Sequence, residues 1–157
     1  TYTITGIAGS KGFSTINIEK AMMNSETGFG MRVLKVLAEN NVSFEHMPSG
    51  IDTMSITVDS ATLQPVREKV MTQLRKEINP DHIEIEDGIA LLAVVGRRMK
   101  NTRGTVARIF AALAHARINV KMIDQGSSEL NVIIGVSAND LNEAIRRIYD
   151  MFINSEK

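Results

Sequence analysis

The chain repeats itself. Shifted by 76 positions, TGFGMRVLKVLAENNVSFEHMPSG (Thr27–Gly50) overlies RGTVARIFAALAHARINVKMIDQG (Arg103–Gly126). Gly28, Arg32, Leu37, Ala38 and Gly50 fall on Gly104, Arg108, Leu113, Ala114 and Gly126. Val33/Ile109, Leu34/Phe110, Val42/Ile118 and Met54/Leu130 keep their apolar character. Two amphipathic helices share a period by chance, but a helix-to-strand transition at constant offset is the mark of one supersecondary unit used twice.

Each copy reads alike. Phe13–Ala21 and Ile89–Arg97 are short and rich in β-branched residues, as strands are. Val106, Ile109, Phe110 and Leu113 then fall on one helix face, and Gly30, Val33, Leu34 and Leu37 repeat that spacing. Strands at Val42–Met47 and Ile118–Ile123 follow, then strands at Thr53–Val58 and Glu129–Val136. A closing helix carries Leu63, Val66, Val70 and Leu74 in one copy, and Leu141, Ala144, Ile145, Ile148 and Phe152 in the other. His82–Glu86 supplies a fourth strand to the first copy, giving βαββαβ, the ferredoxin-like order. After Phe152 too little chain remains for the second copy's fourth strand, whereas Tyr2–Ser10 is a strand that the first copy does not need. The expected fold is α+β, two ferredoxin-like βαββαβ units. The first unit, residues 12–88, is inserted in the second, residues 1–11 plus 89–157, whose last strand is supplied by the N-terminus.

Composition narrows the function. Apolar residues at 43% and charged residues at 23% suit a globular chain of 157 residues, and no apolar run is long enough to span a bilayer. The 18 basic and 18 acidic side chains cancel, which disfavours a nucleic-acid partner, as do strands with few stacking aromatics. Without cysteine there is no disulfide framework, thiolate metal site or thiol catalysis, and a reducing cytoplasmic location is expected. The chain starts without methionine and shows no leader, so it is expected to be part of a larger protein. His46, His82 and His115 are scattered without metal-ligand spacing. Glu84 and Glu86 share a strand face with no nucleophile nearby, and Gly6–Phe13 lacks the spacing of a phosphate-binding loop. No catalytic residue, cofactor or metal is expected.

One chemistry suits the loop entering each first helix. At Met23–Gly30 a helix begins, and its first-turn N–H groups and positive dipole end can hold an α-carboxylate without a basic side chain. Gly28 and Gly30 allow close approach, and Ser25 and Thr27 are candidate caps. Alternation along Val42–Met47 sets Ser43 and Glu45 on one face and Val42 and Phe44 on the other. Glu45 can pair with an ε-ammonium, and its equivalent, Lys121, would repel one.

The second copy's string VVGRRMKNTRGTVARIFAALAHARINVKMIDQGSSELNVIIGV, above all QGSSELN (Gln125–Asn131), closely resembles the tandem ACT regulatory region of aspartate kinase. FEHMPSGIDTMSITVD in the first copy is similar to the bacterial monofunctional enzymes. The resemblance covers nearly the whole chain and leaves out the catalytic kinase domain, so it implies a non-catalytic region that senses a free amino acid for feedback control. It implies an effector between the first helix loop and the second strand, at an interface with a partner ACT unit. The implied contacts are Met23, Ser25, Gly28, Phe29, Gly30, Ser43, Phe44 and Glu45, with lysine as effector. The pattern carries Ser-Glu where this chain has Gly50 and Ile51, and Asp where it has Glu45, so threonine, alone or with lysine, is the alternative. Asn119, Gln125 and Asn131 are the implied second-unit contacts. The other partners are the catalytic kinase domain of the same polypeptide and a second copy, since the edge strand Val42–Met47 has neither lysine nor internal proline to protect it. A stand-alone ACT sensor or a fragment of an ACT-bearing dehydrogenase shares the topology but not QGSSELN.

Overall fold

In a computed structural model, residues 4–96, 102–125 and 131–154 are described, so Tyr2, Thr3, Arg97 and Gly126–Leu130 of the segments above lie outside the described residues. The order is β1 (Ile4–Glu19), α1 (Phe29–Glu39), β2 (Phe44–His46), β3 (Thr53–Asp59), α2 (Ser60–Leu63), α3 (Arg67–Ile78), β4 (His82–Gly96), α4 (Thr102–His115), β5 (Val120–Gln125), β6 (Asn131–Ser137) and α5 (Leu141–Asn154). Two compact units result: Gly12–Asp87, the inserted unit, and the N-terminal segment up to Lys11 together with Gly88 onward, the outer unit.

The inserted unit orders its strands β2-β3-β1-β4, with β1 antiparallel to β3 from Phe13↔Asp59 to Glu19↔Thr53. Ile16 and Ile18 of β1 and Met54, Ile56 and Val58 of β3 form one apolar face. Onto it pack Phe29, Val33, Val36 and Leu37 of α1, and Val70, Leu74 and Ile78 of α3. The outer unit has the same order, β5-β6-β4-β1, with β4 antiparallel to β6 from Ile89↔Ser137 to Val95↔Asn131. Its core gathers Ala90, Leu92 and Val94 with Val132, Ile134 and Val136, under Ile109 and Leu113 of α4 and Leu141, Ala144 and Ile148 of α5. The N-terminal half of β1 belongs to this unit. Ile7 packs against that core, and Gly9 lies so close to α5 that an added Cβ would stand 2.8 Å from a Leu141 methyl and 2.9 Å from one of Ile145.

The first helix of each unit ends identically. Asn41 and Arg117 adopt left-handed φ of 56° and 59°. The next N–H, of Val42 or Ile118, returns to the carbonyl of Leu37 or Leu113 at 2.9 Å in both. This is the Schellman closure, in which the first residue beyond the left-handed one also packs back on the helix. Neither left-handed residue is glycine, so each position carries a cost that the closing hydrogen bonds and the buried Val42 and Ile118 offset.

Four expectations need correction. Ile4–Ser10 and Phe13–Glu19 are not separate strands but parts of one strand of 16 residues, which ends before Lys20 and Ala21, and His82–Glu86 runs on into Ile89–Gly96 as one of 15. The joins are Gly12 and Gly88, whose φ of 95° and 70° let the strand swivel without breaking. The second strand is shorter than Val42–Met47 and carries a bulge, because Phe44 faces Val58 while His46 faces Thr57, two residues against one. Simple alternation therefore fails at Glu45. The same bulge recurs at Lys121, between Val120↔Val136 and Met122↔Gly135. Finally, the buried residues of β3, Met54, Ile56 and Val58, correspond to Val132, Ile134 and Val136, so Met54 does not match Leu130. The turn between the second and third strands is two residues longer in the outer unit.

If the N-terminal strand is packed under α5, Gly9→Val should lower stability by about 1–3 kcal/mol through overpacking, and Gly6→Ala, with open space around it, should change it little. Urea denaturation of the two variants checks this.

Candidate functional site

Four tethers position the loop between β1 and α1. The Lys20 N–H donates to the Asp52 carbonyl at 2.9 Å, and the Asn24 N–H to that of Ile51 at 3.3 Å. Carboxylates take two more backbone groups, Asp81 from the Ala21 N–H at 2.7 Å and Asp52 from the Met22 N–H at 2.9 Å. The loop is thereby fastened both to the β2–β3 turn and to the start of β4.

Side chains add a clamp. Lys20 Nζ donates to the Ile78 carbonyl at 2.5 Å and pairs with Glu26 at 2.8 Å. Arg32, one turn into α1, grips the other Glu26 oxygen and donates to the Glu77 carbonyl at 3.0 Å. Both cations therefore satisfy last-turn carbonyls of α3, where the helix dipole favours positive charge. Hydrogen bonds from Lys20 first and Arg32 second hold the Glu26 carboxyl below the usual carboxylate range. Lys20 also lies 5.8 Å from the centre of the Phe29 ring.

Helix α1 opens without a side-chain cap. Gly28 is its N-cap at φ 75°, a left-handed value that favours glycine. Ser25 and Thr27 do not cap it; the Ser25 hydroxyl instead donates to the Met22 carbonyl at 2.8 Å. Of the first-turn N–H groups, that of Phe29 donates to the Glu26 carbonyl at 3.2 Å, and at Gly30 an added Cβ would meet nothing nearer than a Met54 methyl at 4.0 Å.

The implied effector contacts separate into three sets. Ser25, Gly28 and Gly30 line the open loop. Met23 and Phe29 are core residues, 2% and 3% exposed, and their N–H groups already donate to the carbonyls of Lys20 and Glu26, at 3.2 Å in each case. Ser43, Phe44 and Glu45 are exposed, but at the other end of the sheet. Glu45 sits beside Thr57, and the loop is tied beside Thr53, so four residues of strand, about 13 Å, part them within one chain. In the outer unit, Gln125 ends β5 opposite Val132 and so neighbours Asn131, while Asn119 precedes β5 at its far end; all three are exposed. Lys20, Glu26, Arg32, Asp52 and Asp81 are functional candidates that sequence reasoning missed. Glu26 and Arg32 stand six apart, outside the i, i+4 rule by which helical ion pairs are found.

Residues 92–152 match the ACT-domain family model. Aspartokinase 3 of Bacillus subtilis (strain 168) is 38% identical over 95% of this chain and 33% of its own length. The crystal structure of the Clostridium acetobutylicum aspartate kinase superposes with a TM-score of 0.90 at 48% identity, over 95% of this chain and 34% of that one. The chain is an ACT-domain protein, homologous to the regulatory regions of aspartokinases. It spans about a third of the length of these two relatives. The ligand-free regulatory subunit of aspartate kinase from Thermus thermophilus, at 23% identity, shares the fold with a TM-score of 0.77 over 95% of this chain and 98% of that one. The ACT model covers the outer unit from β4 to α5, and the inserted unit repeats its topology.

Among the described residues no helix is long and apolar enough to cross a membrane, and no group of acidic or histidine side chains could hold a metal ion.

Glu26 favours the folded state while it is ionised, so its contribution is full above its unfolded-state value and is lost as pH falls through the lower folded one. The stability gap between wild type and Glu26→Gln should therefore be widest near pH 7 and shrink as the pH falls below the ordinary carboxylate range in urea titrations.

Proposed function

We propose that this chain is the amino-acid-sensing region of an aspartokinase and that its effector is lysine, which restrains the kinase part of the same polypeptide. One observation carries the reading: the glycine-flanked start of α1, which no side chain caps, where the helix dipole meets a loop held by four backbone hydrogen bonds. An α-carboxylate is held there by backbone groups of Gly28 and Gly30, leaving the effector's side chain to select its own partner.

That partner is Glu45 of a second copy. β2 is an edge strand, and two such edges pairing antiparallel about a twofold axis reverse one relative to the other. The reversal carries Glu45 of one copy about 13 Å along the sheet, towards the Asp52 end of its neighbour, beside the neighbour's loop. Exposed Met22, Met31, Phe44 and Ile51 lie on the loop, helix start, edge strand and turn that such pairing would cover. The effector is then bound across an interface, and differential affinity for two arrangements of the copies supplies the allostery. Ser43 and Phe44 flank Glu45 on that edge. Asn119, Gln125 and Asn131 are proposed as outer-unit contacts, and Lys121, at the equivalent bulge, makes that unit a poor lysine site.

Titration calorimetry on the chain tests the effector. Glu45→Gln should weaken lysine binding by about 1–3 kcal/mol, the range for a hydrogen bond to a charged group, and Lys121→Gln should change it little. Tight threonine binding without lysine binding would overturn the lysine assignment. Sedimentation at tens of micromolar should show a dimer that Phe44→Lys dissociates, because a lysine on an edge strand blocks strand-to-strand pairing; a wild-type monomer with and without lysine would refute the shared site.

A further inference from the structure

The clamp beside α1 contains more positive hydrogen-bonding capacity than its contacts use. Lys20 and Arg32 converge from β1 and α1 on one carboxylate, Glu26, and among the described residues the buried Arg32 Nε has no partner. Stripped of Glu26, these two cations would be a ready two-point receptor for a free carboxylate, next to the loop that is to take an amino acid. The other acidic groups of the loop do not cover them, for Asp52 and Asp81 are engaged with the backbone N–H groups of Met22 and Ala21. We infer that Glu26 is a specificity-determining residue: it occupies the Lys20–Arg32 pair with an internal carboxylate and so excludes acidic amino acids from the effector loop, leaving it to neutral and cationic ones. The inference rests on the proposed amino-acid site.

The physical reasoning concerns the effector's side chain. Lysine and aspartate present the same α-carboxylate and α-ammonium to α1 and differ in one terminal charge. With Glu26 in place, the loop's side chains sum to two cations against three carboxylates, which repels a second carboxylate and tolerates an ammonium. With Gln at 26 the amide keeps the shape and much of the hydrogen bonding, but the two cations outbid it for an ionised ligand group. A residue that only held the loop in place would, when changed, weaken every ligand together; a charge filter changes their ratio.

Calorimetric titration of the whole chain with lysine and with aspartate reads that ratio. Wild type should prefer lysine. Glu26→Gln should tighten aspartate about fivefold, the effect of one unit charge felt at about 8 Å through a partly solvated loop, while lysine shifts less than about threefold. Glu26→Asp, which keeps the charge, should retain the wild-type preference. Lys20→Gln, removing a cation, should move the ratio further towards lysine, and it decides alone should Glu26→Gln fail to fold. If wild type binds lysine but the lysine-to-aspartate ratio of folded Glu26→Gln stays within about twofold of it, the filter is refuted and the effector site stands. If wild type binds neither, both are refuted.

Discussion

Backbone hydrogen bonding along β1 and β4 is the constraint on which the rest depends. The inserted unit takes the second half of β1 and the first half of β4 with β2 and β3 between them, and the outer unit must assemble from the two remaining halves with β5 and β6. A strand that left its N–H and C=O groups unpaired in a buried sheet would cost more than a unit of this size can spare. The outer unit is thus obliged to fold from two separated pieces of chain. Glycine at 12 and at 88 is what permits one strand to serve two units, since each stands at positive φ where a side chain would be strained.

Within the inserted unit, the polar tethers follow the same logic of completed valences. The end of α3 leaves carbonyls without helical partners, and Lys20 and Arg32 supply donors to those of Ile78 and Glu77. Their charges in turn need an anion, and Glu26 supplies it. In the outer unit, Arg108 occupies the place of Arg32 but lies 5.4 Å from the centre of the Phe152 ring of α5, so the same position braces first helix against closing helix by a different interaction. Arginine serves both because its flat guanidinium can fork onto oxygens or stack on a ring.

The repeat made the fold legible. A fixed offset identified the helices, their ends and the equivalence of Glu45 and Lys121, and the missing last strand exposed the insertion. Where the reading failed, the cause was local. Glycines at 12 and 88 read as strand ends, because sequence does not tell a swivel within a strand from a turn. The turn after the second strand is longer in the outer unit, so a constant offset paired Met54 with the wrong residue. Alternation at Glu45 assumed an unbulged strand. Of the candidate site, the glycine at the start of α1 was legible in the sequence, whereas the clamp was not, because Lys20, Glu26, Arg32 and the carbonyls of α3 meet only after the helices pack.

Duplication also explains why two like units need not have like roles. At the shared bulge an edge strand turns a side chain out of register, and there one unit carries a carboxylate and the other an ammonium. Burial does not dictate either choice, since both Glu45 and Lys121 are exposed. A core position such as Leu37 or Leu113 is held to its apolar type by packing that would lose about 2–5 kcal/mol on truncation to alanine. An exposed bulge is under no such restraint and can change sign without loss of fold. Differences in ligand preference between the units are therefore expected at such positions, and the conserved geometry of the helix entries and strand order carries the part they have in common.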